Sequence, residues 1–339
     1  MYIRRDIKLN LLIAGSWKFI IGASLWSAFV VYIHDFIGFG LASIPIEPLS
    51  TIGIAISIYL GFKGKETYDR WWEARKLWGE VIGSSRSFGA EVHSLLHSNN
   101  PKDTHSIEDI SQKLIYNHLA WVQALKYQLR LNSRFKEKRF GMFNKRVVPQ
   151  DNTESFLRYI ADDERQKISK FSNPAVQILI SQSKYIKELA KTGLLDPIRQ
   201  VHIQSTINNC LHIQGKCERI KKTPFPRPFA YFGEIFTWIF IIALPLGFID
   251  IFEYQGVKYA YNEAPQRLYM FAMVPFTVLI SWVFYMMEKI SDSIEDPFEG
   301  GINDVPISAL ARTIEIDLLE SLGQKNIPSP IKPDRDVLH

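Results

Sequence analysis

Two cysteines, Cys210 and Cys217, are all that 339 residues contain, and so few exclude a scaffold stapled by disulfides. They lie seven positions apart, on one face of a helix, in a region that reads as cytoplasmic. There they fit structural thiols better than a metal or redox pair. Short patterns that carry covalent chemistry are missing as well: no nucleophile elbow, no phosphate-cradling glycine loop and no paired-cysteine zinc motif occurs. No internal repeat and almost no strand signal appear, which leaves an all-α chain. The first apolar run ends without a small-x-small cleavage pattern and leads into further apolar runs, so it does not read as a cleavable leader. Charge is absent from 49–62, and Lys and Arg are absent from 34–48.

Apolar runs are present at 9–33, 49–62, 228–249 and 268–287, and they predict a membrane bundle of four spans. A hydrocarbon core about 30 Å thick takes about 20 apolar residues of helix, which the third and fourth runs supply. In the first run, charge is absent from Phe19 to Ile33, with Lys18 marking an edge from which its ammonium can snorkel. The second run is roughly 21 Å long at the helical rise, too short for an ordinary lipid-facing span, and needs protein or water around one end. Pro45 and Pro48 place a loop before it, with Glu47 in its first turn. Beyond Phe62 no breaker intervenes. Lys63, Lys65, Glu66, Asp69, Arg70, Glu73, Arg75 and Lys76 follow on the same helical register, so one rod is expected to leave the membrane and continue into water.

Flanking cations set the orientation. Arg4, Arg5 and Lys8 precede the first run; Lys63 to Lys76 follow the second; Arg219, Lys221, Lys222 and Arg227 precede the third; the 250–267 loop carries Asp250, Glu253 and Glu263 against Lys258 and Arg267. Both termini and the 63–227 region are therefore expected in the cytoplasm, with two short loops outside. The expected division is 1–62 for the first two spans, 63–227 for a helical cytoplasmic region, 228–290 for the last two spans and 291–339 for a stem and tail. Within the cytoplasmic region the pattern predicts helices at 63–97, 106–131, 154–169, 174–192 and 196–223, and a further helix near 306–322. The net charge of +5 is spread through these segments and suits a neighbour of anionic lipid. The densest run, 134–146, with interleaved aromatics, reads as a solvated loop near headgroups, and no nucleic-acid partner is expected.

Candidate sites are few. His93 and His97 have the spacing of two ligands on one helical face, but no third ligand is adjacent in sequence. Glu234 lies early in the third span, either as a functional group at membrane depth or as a residue at headgroup level. The acidic segment 292–304 lacks the spacing of a calcium loop and reads as a helix stop. Ile54, Ile58 and Phe62 share one face of the second span, beside a small-residue face of Gly53, Ser57, Gly61 and Gly64. Such small residues allow close helix packing, and several copies around an axis would stack three apolar rings that gate ions by dewetting.

Four separated segments carry a family resemblance: IGIAISIYLGF at 52–62, YDRWWEARKLWG at 68–79, CERIKKTPFPRPFAY at 217–231 and EDPFEGGINDVP at 295–306. In this order and topology the chain resembles the bestrophin family, and its bacterial branch in particular. The resemblance implies a bacterial cell and its inner membrane, and a homopentameric ion channel with one pore on the five-fold axis. It puts the membrane neck at Ile54, Ile58 and Phe62. A cytoplasmic aperture falls at Ile198 in the LLDPIRQ turn, with Asp196 and Pro197 sharing that role.

Eukaryotic relatives resemble calcium-activated chloride channels, whose calcium clasp follows a Pro-Phe pair with a run of acids. Here Pro297 and Phe298 lead into Glu299, Gly300, Gly301, Ile302, Asn303 and Asp304, so the clasp is not carried across and no cofactor is expected. Two of the three neck positions are Ile where eukaryotic necks are rich in Phe, whose ring edges can favour anions; the resemblance to bacterial members implies passage of monovalent cations, Na+ or K+, and Asp196 near the aperture suits that sign. The expected partners are four further copies of the chain, membrane lipid and small monovalent ions. Two rival readings remain: a membrane enzyme, for which Glu234, His93 and His97 have to converge, and a membrane-anchored platform whose 63–227 region binds a partner.

Overall fold

The structure is a computed structural model that describes residues 1–6, 9–37, 43–96, 104–131, 154–259 and 269–339. The described residues are helical apart from turns, a coil tail and isolated bridges from Val337 to Tyr2 and Asp334. In chain order the helices are α1 (Leu9–Ile37), α2 (Ile46–Leu95), α3 (Thr104–Arg130), α4 (Glu154–Leu157), α5 (Asp162–Ser169), α6 (Pro174–Lys191), α7 (Pro197–Lys222), α8 (Arg227–Tyr259), α9 (Met273–Ile294) and α10 (Ile307–Ser321). Three stretches are long and apolar enough to cross a membrane: Gly15–Asp35, Arg227–Lys258 and Tyr269–Ile294. The apolar part of α2 packs against the last two of these, α8 and α9, but is not long enough to count by itself.

The rod expected through Phe62 is one helix of 50 residues. Its inward face is Leu49, Gly53, Ile56, Leu60, Lys63 and Thr67 in the membrane half and Ala74, Leu77, Trp78, Val81, Phe88 and Val92 beyond it. Of the small-residue face, Gly53 lies under the Phe240 ring, where an added Cβ would come within 2.9 Å, and Gly64 lies against Ser291. Gly61 meets nothing, so the face is used in part.

Three boundaries differ from expectation. Residues 154–169 form two helices, because Arg158 and Tyr159 both turn to the buried Glu315 carboxylate and the chain closes in a turn before α5. Three acids in the first turn of α5 complement its positive end. Helix α8 runs past the expected end near 249 to Tyr259, since Ile249 and Phe252 pack with Val30, Val31, Met270 and Met273. Helix α1 likewise continues through His34 to Ile37, into the segment expected as a loop. Elsewhere the punctuation is as the residues dictate. Asn173 and Asp196 cap α6 and α7 ahead of a proline, and Gly193 ends α6 at φ 81°.

The half beyond the long apolar helices has a soluble-type core in which Trp78, Phe88, Trp121 and Phe156 are fully buried. Cys210 and Cys217 are unpaired and buried there, and burial pushes both thiols up to about 12, out of the reactive range. The membrane half has only small clusters, and Ile21, Leu25, Phe29, Ile239, Ile242 and Leu279 point outward. In water such surface would be costly; against acyl chains it is not.

His118 stacks on Phe88 at 4.6 Å in this core, its Nε2 2.9 Å from Ser85 Oγ. Ser85 already donates to Val81 O, so the imidazole is the donor and its buried Nδ1 is left bare. Burial holds the ring neutral, with its pKa lowered to about 3. An unfolded imidazole, near 6.5, takes up a proton that the folded one refuses, so this group removes stability as pH falls from about 6.5 towards 3. Between pH 6.5 and 5 the expected loss is about 2 kcal/mol. Thermal unfolding of wild type and His118→Gln at the two pH values checks it: the variant should lose less stability on acidification, and an identical loss in both rules the imidazole out.

Candidate pore-lining surface

An uncovered stripe runs along α2 from its first turn to Glu80. Glu47, Thr51, Ile54, Ile58, Phe62, Lys65, Asp69, Trp72, Lys76 and Glu80 recur at steps of three and four, and all are exposed. Ile54, Ile58 and Phe62 are 63%, 56% and 61% exposed, whereas Ile56 and Leu60 on the opposite side are 6% and 1%. The three expected neck residues therefore share a face left largely uncovered by the described residues.

Helix α7 lies antiparallel beside the part of α2 beyond Phe62. Arg199 donates to Leu95 O at 3.3 Å, Thr206 to Glu91 at 2.7 Å and Asn209 to Ser84 at 2.8 Å; Lys216 pairs with Glu80 at 3.6 Å, and Arg219 with Glu73. It too carries an uncovered stripe, Ile198, Val201, Ser205, Asn208 and His212, which begins with two apolar residues 72% and 68% exposed. Ile198 is thus next to the far end of α2, about 60 Å along that helix from Ile54 at 1.5 Å per residue. Asp196 is the N-cap of α7: its carboxylate accepts from the Ile198 and Arg199 amides at 2.9 and 3.0 Å and pairs with the Arg199 guanidinium at 3.0 Å. Pro197 occupies the first helical turn, exposed beside Ile198.

Two contacts that sequence reasoning missed fix how α2 is rotated. Lys63, one residue past Phe62, is buried and places Nζ 2.5 Å from Glu288 Oε1 of α9, with side-chain exposures of 1% and 6%. Arg70, two turns on, donates Nε to Glu295 O at 2.9 Å and Nη2 to Thr223 O at 2.7 Å and to Ile220 O. One guanidinium thereby satisfies the closing carbonyls of both α7 and α9, and its charge suits their negative ends. The only sequence signal for Lys63 is a cation directly after a charge-free run.

The remaining candidates do not meet. Glu234 is level with Tyr59, since Gly233 abuts that ring, and lies 3.5 Å from Lys289 at the edge of the bundle. His93, 34 residues further along α2 than Tyr59 and so about 50 Å away, faces Ser321 at 3.1 Å. His97 and the 134–146 run lie outside the described residues. In the 292–304 segment, Glu299 pairs with Lys221 at 2.6 Å, Asp304 accepts from Gly301 N at 2.9 Å, and Trp71 donates to Asn303 O at 2.8 Å. Gly300 takes φ 83° there, and Phe298 is buried beneath the turn.

A helical bundle with lipid-compatible outer faces, a large helical body and one through-running helix defines the class, a multi-helix membrane protein. The family profile described as Bacterial/Fungal Bestrophin protein matches residues 17–320, and the chain belongs to that family. A voltage-dependent anion channel-forming protein, YneE, of Escherichia coli (strain K12) is 29% identical over 305 residues, covering 90% of this chain and 84% of the relative. Another protein so described, from Mesorhizobium japonicum, is 27% identical over the same shares. A crystal structure of a bacterial bestrophin homologue from Klebsiella pneumoniae superposes with a TM-score of 0.72 at 25% identity, over 91% of this chain and 98% of that one. The protein is a member of an ion-channel family and not of an enzyme family.

Proposed function

We propose that five copies of this chain surround a common axis and pass small monovalent ions, with Ile54, Ile58 and Phe62 as the neck and Ile198, flanked by Asp196 and Pro197, as the cytoplasmic aperture. The uncovered stripe carries this reading. If Ile54, Ile58 and Phe62 simply faced lipid, the uncovered face would end with the bilayer; it instead continues through Lys65, Asp69 and Trp72, and α7, packed on α2, exposes Ile198 and Val201. A shared axis accounts for both halves.

Four crossings and cytoplasmic termini belong to the same proposal. Met1 and Ile3 pair by backbone hydrogen bonds with Leu338 and Asp336, which supports both of these segments lying on one side of the membrane and an even number of spans between them. The three long apolar helices are odd in number, and α2 supplies the fourth crossing. The flanking cations place that side in the cytoplasm. The chain leaves the bilayer at Lys63 and re-enters near 228, which is the basis for dividing it at 1–62, 63–227, 228–290 and 291–339. No calcium requirement is proposed, because Glu299 is engaged by Lys221 and Asp304 by the Gly301 amide.

Cation passage, Na+ or K+, is the favoured sign. Asp196 contributes little to it, since the cap amides and Arg199 take up its charge; Glu47, exposed at the outer end of the stripe, would form a ring of carboxylates above the neck. The names of the curated relatives favour a second reading, anion passage. Reversal potentials of purified protein in planar bilayers under a KCl gradient decide: a shift towards the K+ equilibrium potential supports the first and towards that of Cl− the second. No conductance from a preparation shown to be oligomeric overturns both.

A further inference from the structure

We propose that His34, Asp250 and Glu253 form a zinc site that staples α1 to α8 at the end of the bundle farthest from the cytoplasmic body. Their ligand atoms all lie within 4.8 Å of one another. The imidazole comes from the last turns of α1, and the two carboxylates come from α8 at i and i+3, one turn apart on one face. Both backbones are held by direct contacts. Val30 and Val31 of α1 pack with Ile249 of α8 and with Met270 and Met273, and Trp26 Nε1 donates to Ile242 O at 3.0 Å. The two helices are therefore held side by side before any ion arrives.

The imidazole itself points to a ligand. His34 is mostly covered, with 12% of its side chain exposed; an Asp250 oxygen lies within 4.8 Å of it, and Glu253 Oε2 is 3.8 Å from Nε2. That is too long for a hydrogen bond and close to the spacing of two atoms bound to one ion with bonds of about 2.0–2.2 Å. One nitrogen and two carboxylate oxygens suit zinc with solvent in the fourth position; calcium and magnesium prefer more oxygens and no imidazole. Glu253 is half-exposed and Asp250 exposed, so an ion can reach the site from water. Two carboxylates neutralise the charge of the cation.

The site stands whether or not the chain conducts, and its test does not use current. Metal-free, detergent-purified protein is equilibrated with ZnCl2 and desalted, and bound zinc per chain is measured together with the zinc-dependent shift in melting temperature. One zinc per chain and a higher melting temperature are expected for wild type. Both should be lost in His34→Ala and in the milder Glu253→Gln, and kept in His93→Ala, which removes a histidine at the other end of the molecule. Calcium at the same concentration should give no shift. Wild type without bound zinc overturns the proposal, and so does zinc binding that survives His34→Ala and Glu253→Gln in protein with wild-type elution.

Discussion

Replacing Ile58 by Ala is expected to raise ion flux about tenfold or more. In the proposed assembly this residue is the middle of three apolar rings, and the substitution takes three carbon atoms from each of five side chains at one level. An ion at a narrow apolar ring loses part of its hydration shell and gains no ligand, so widening the ring lets water remain and lowers the barrier. A tenfold gain needs only about 1.4 kcal/mol off that barrier. The same change in a packed core would cost about 2–5 kcal/mol of stability. Ile58 is 56% exposed in the subunit, so folding should be little affected and a change in current can be assigned to the pore. Single-channel recordings in bilayers read conductance and open probability. If neither changes, in protein that elutes as the wild-type oligomer, Ile58 is not a restriction. Ile56→Ala, on the buried face two residues away, is the control and should weaken the fold without widening the conduit.

How much of this surface the residues disclose depends on the physics at each position. The i, i+4 spacing of Ile54, Ile58 and Phe62 states that they share a face, because helical geometry is local. Which way that face points is not local. The buried face of the same helix is also apolar, through Leu49, Ile56 and Leu60, so hydropathy cannot distinguish packed from unpacked sides. The distinction appears only when α8 and α9 are seen on one side of the apolar part of α2 and no described helix on the side of Ile54, Ile58 and Phe62. Polar residues mislead in a similar way. Asp196 reads as a charge offered to ions, yet an acid before Ile198 at a helix start is satisfied by the first amides and by Arg199, as capping chemistry requires. Asp250 and Glu253 read as a loop because acids are rare in apolar helices, whereas contacts of Ile249 and Phe252 with α1 carry α8 another two turns and more. Boundaries set by capping residues, as at Asn173, Pro174 and Gly193, are legible; boundaries set by tertiary contacts are not.

The second large effect is expected from Lys63. Its ammonium and the Glu288 carboxylate are both buried, so each is tolerated only because the other is there. Removing one partner by Lys63→Met leaves an uncompensated charge in a poorly solvated place and should cost about 3–5 kcal/mol. Removing both, in Lys63→Met with Glu288→Leu, leaves an apolar contact of similar volume and should restore much of that loss, since buried pairs are often no better than their hydrophobic replacements. Thermal unfolding of the detergent-solubilised single and double variants measures the recovery. A double variant as damaged as the single would mean that the pair acts through something other than mutual neutralisation. What the pair adds beyond stability is direction. Lys63 lies one residue, or about 100° of helix, from Phe62, so anchoring the ammonium on α9 helps hold the Phe62 ring on the uncovered side. An apolar contact can slip by a fraction of a turn where a single ion pair with one oxygen at 2.5 Å cannot. The double variant is therefore expected to fold and assemble yet to show a broader spread of conductance levels than the wild type, because the lowest neck ring has lost the contact that set its angle. A single conductance level identical to wild type would place that control elsewhere on α2, with the three carbonyls held by Arg70 as the next contact along the helix.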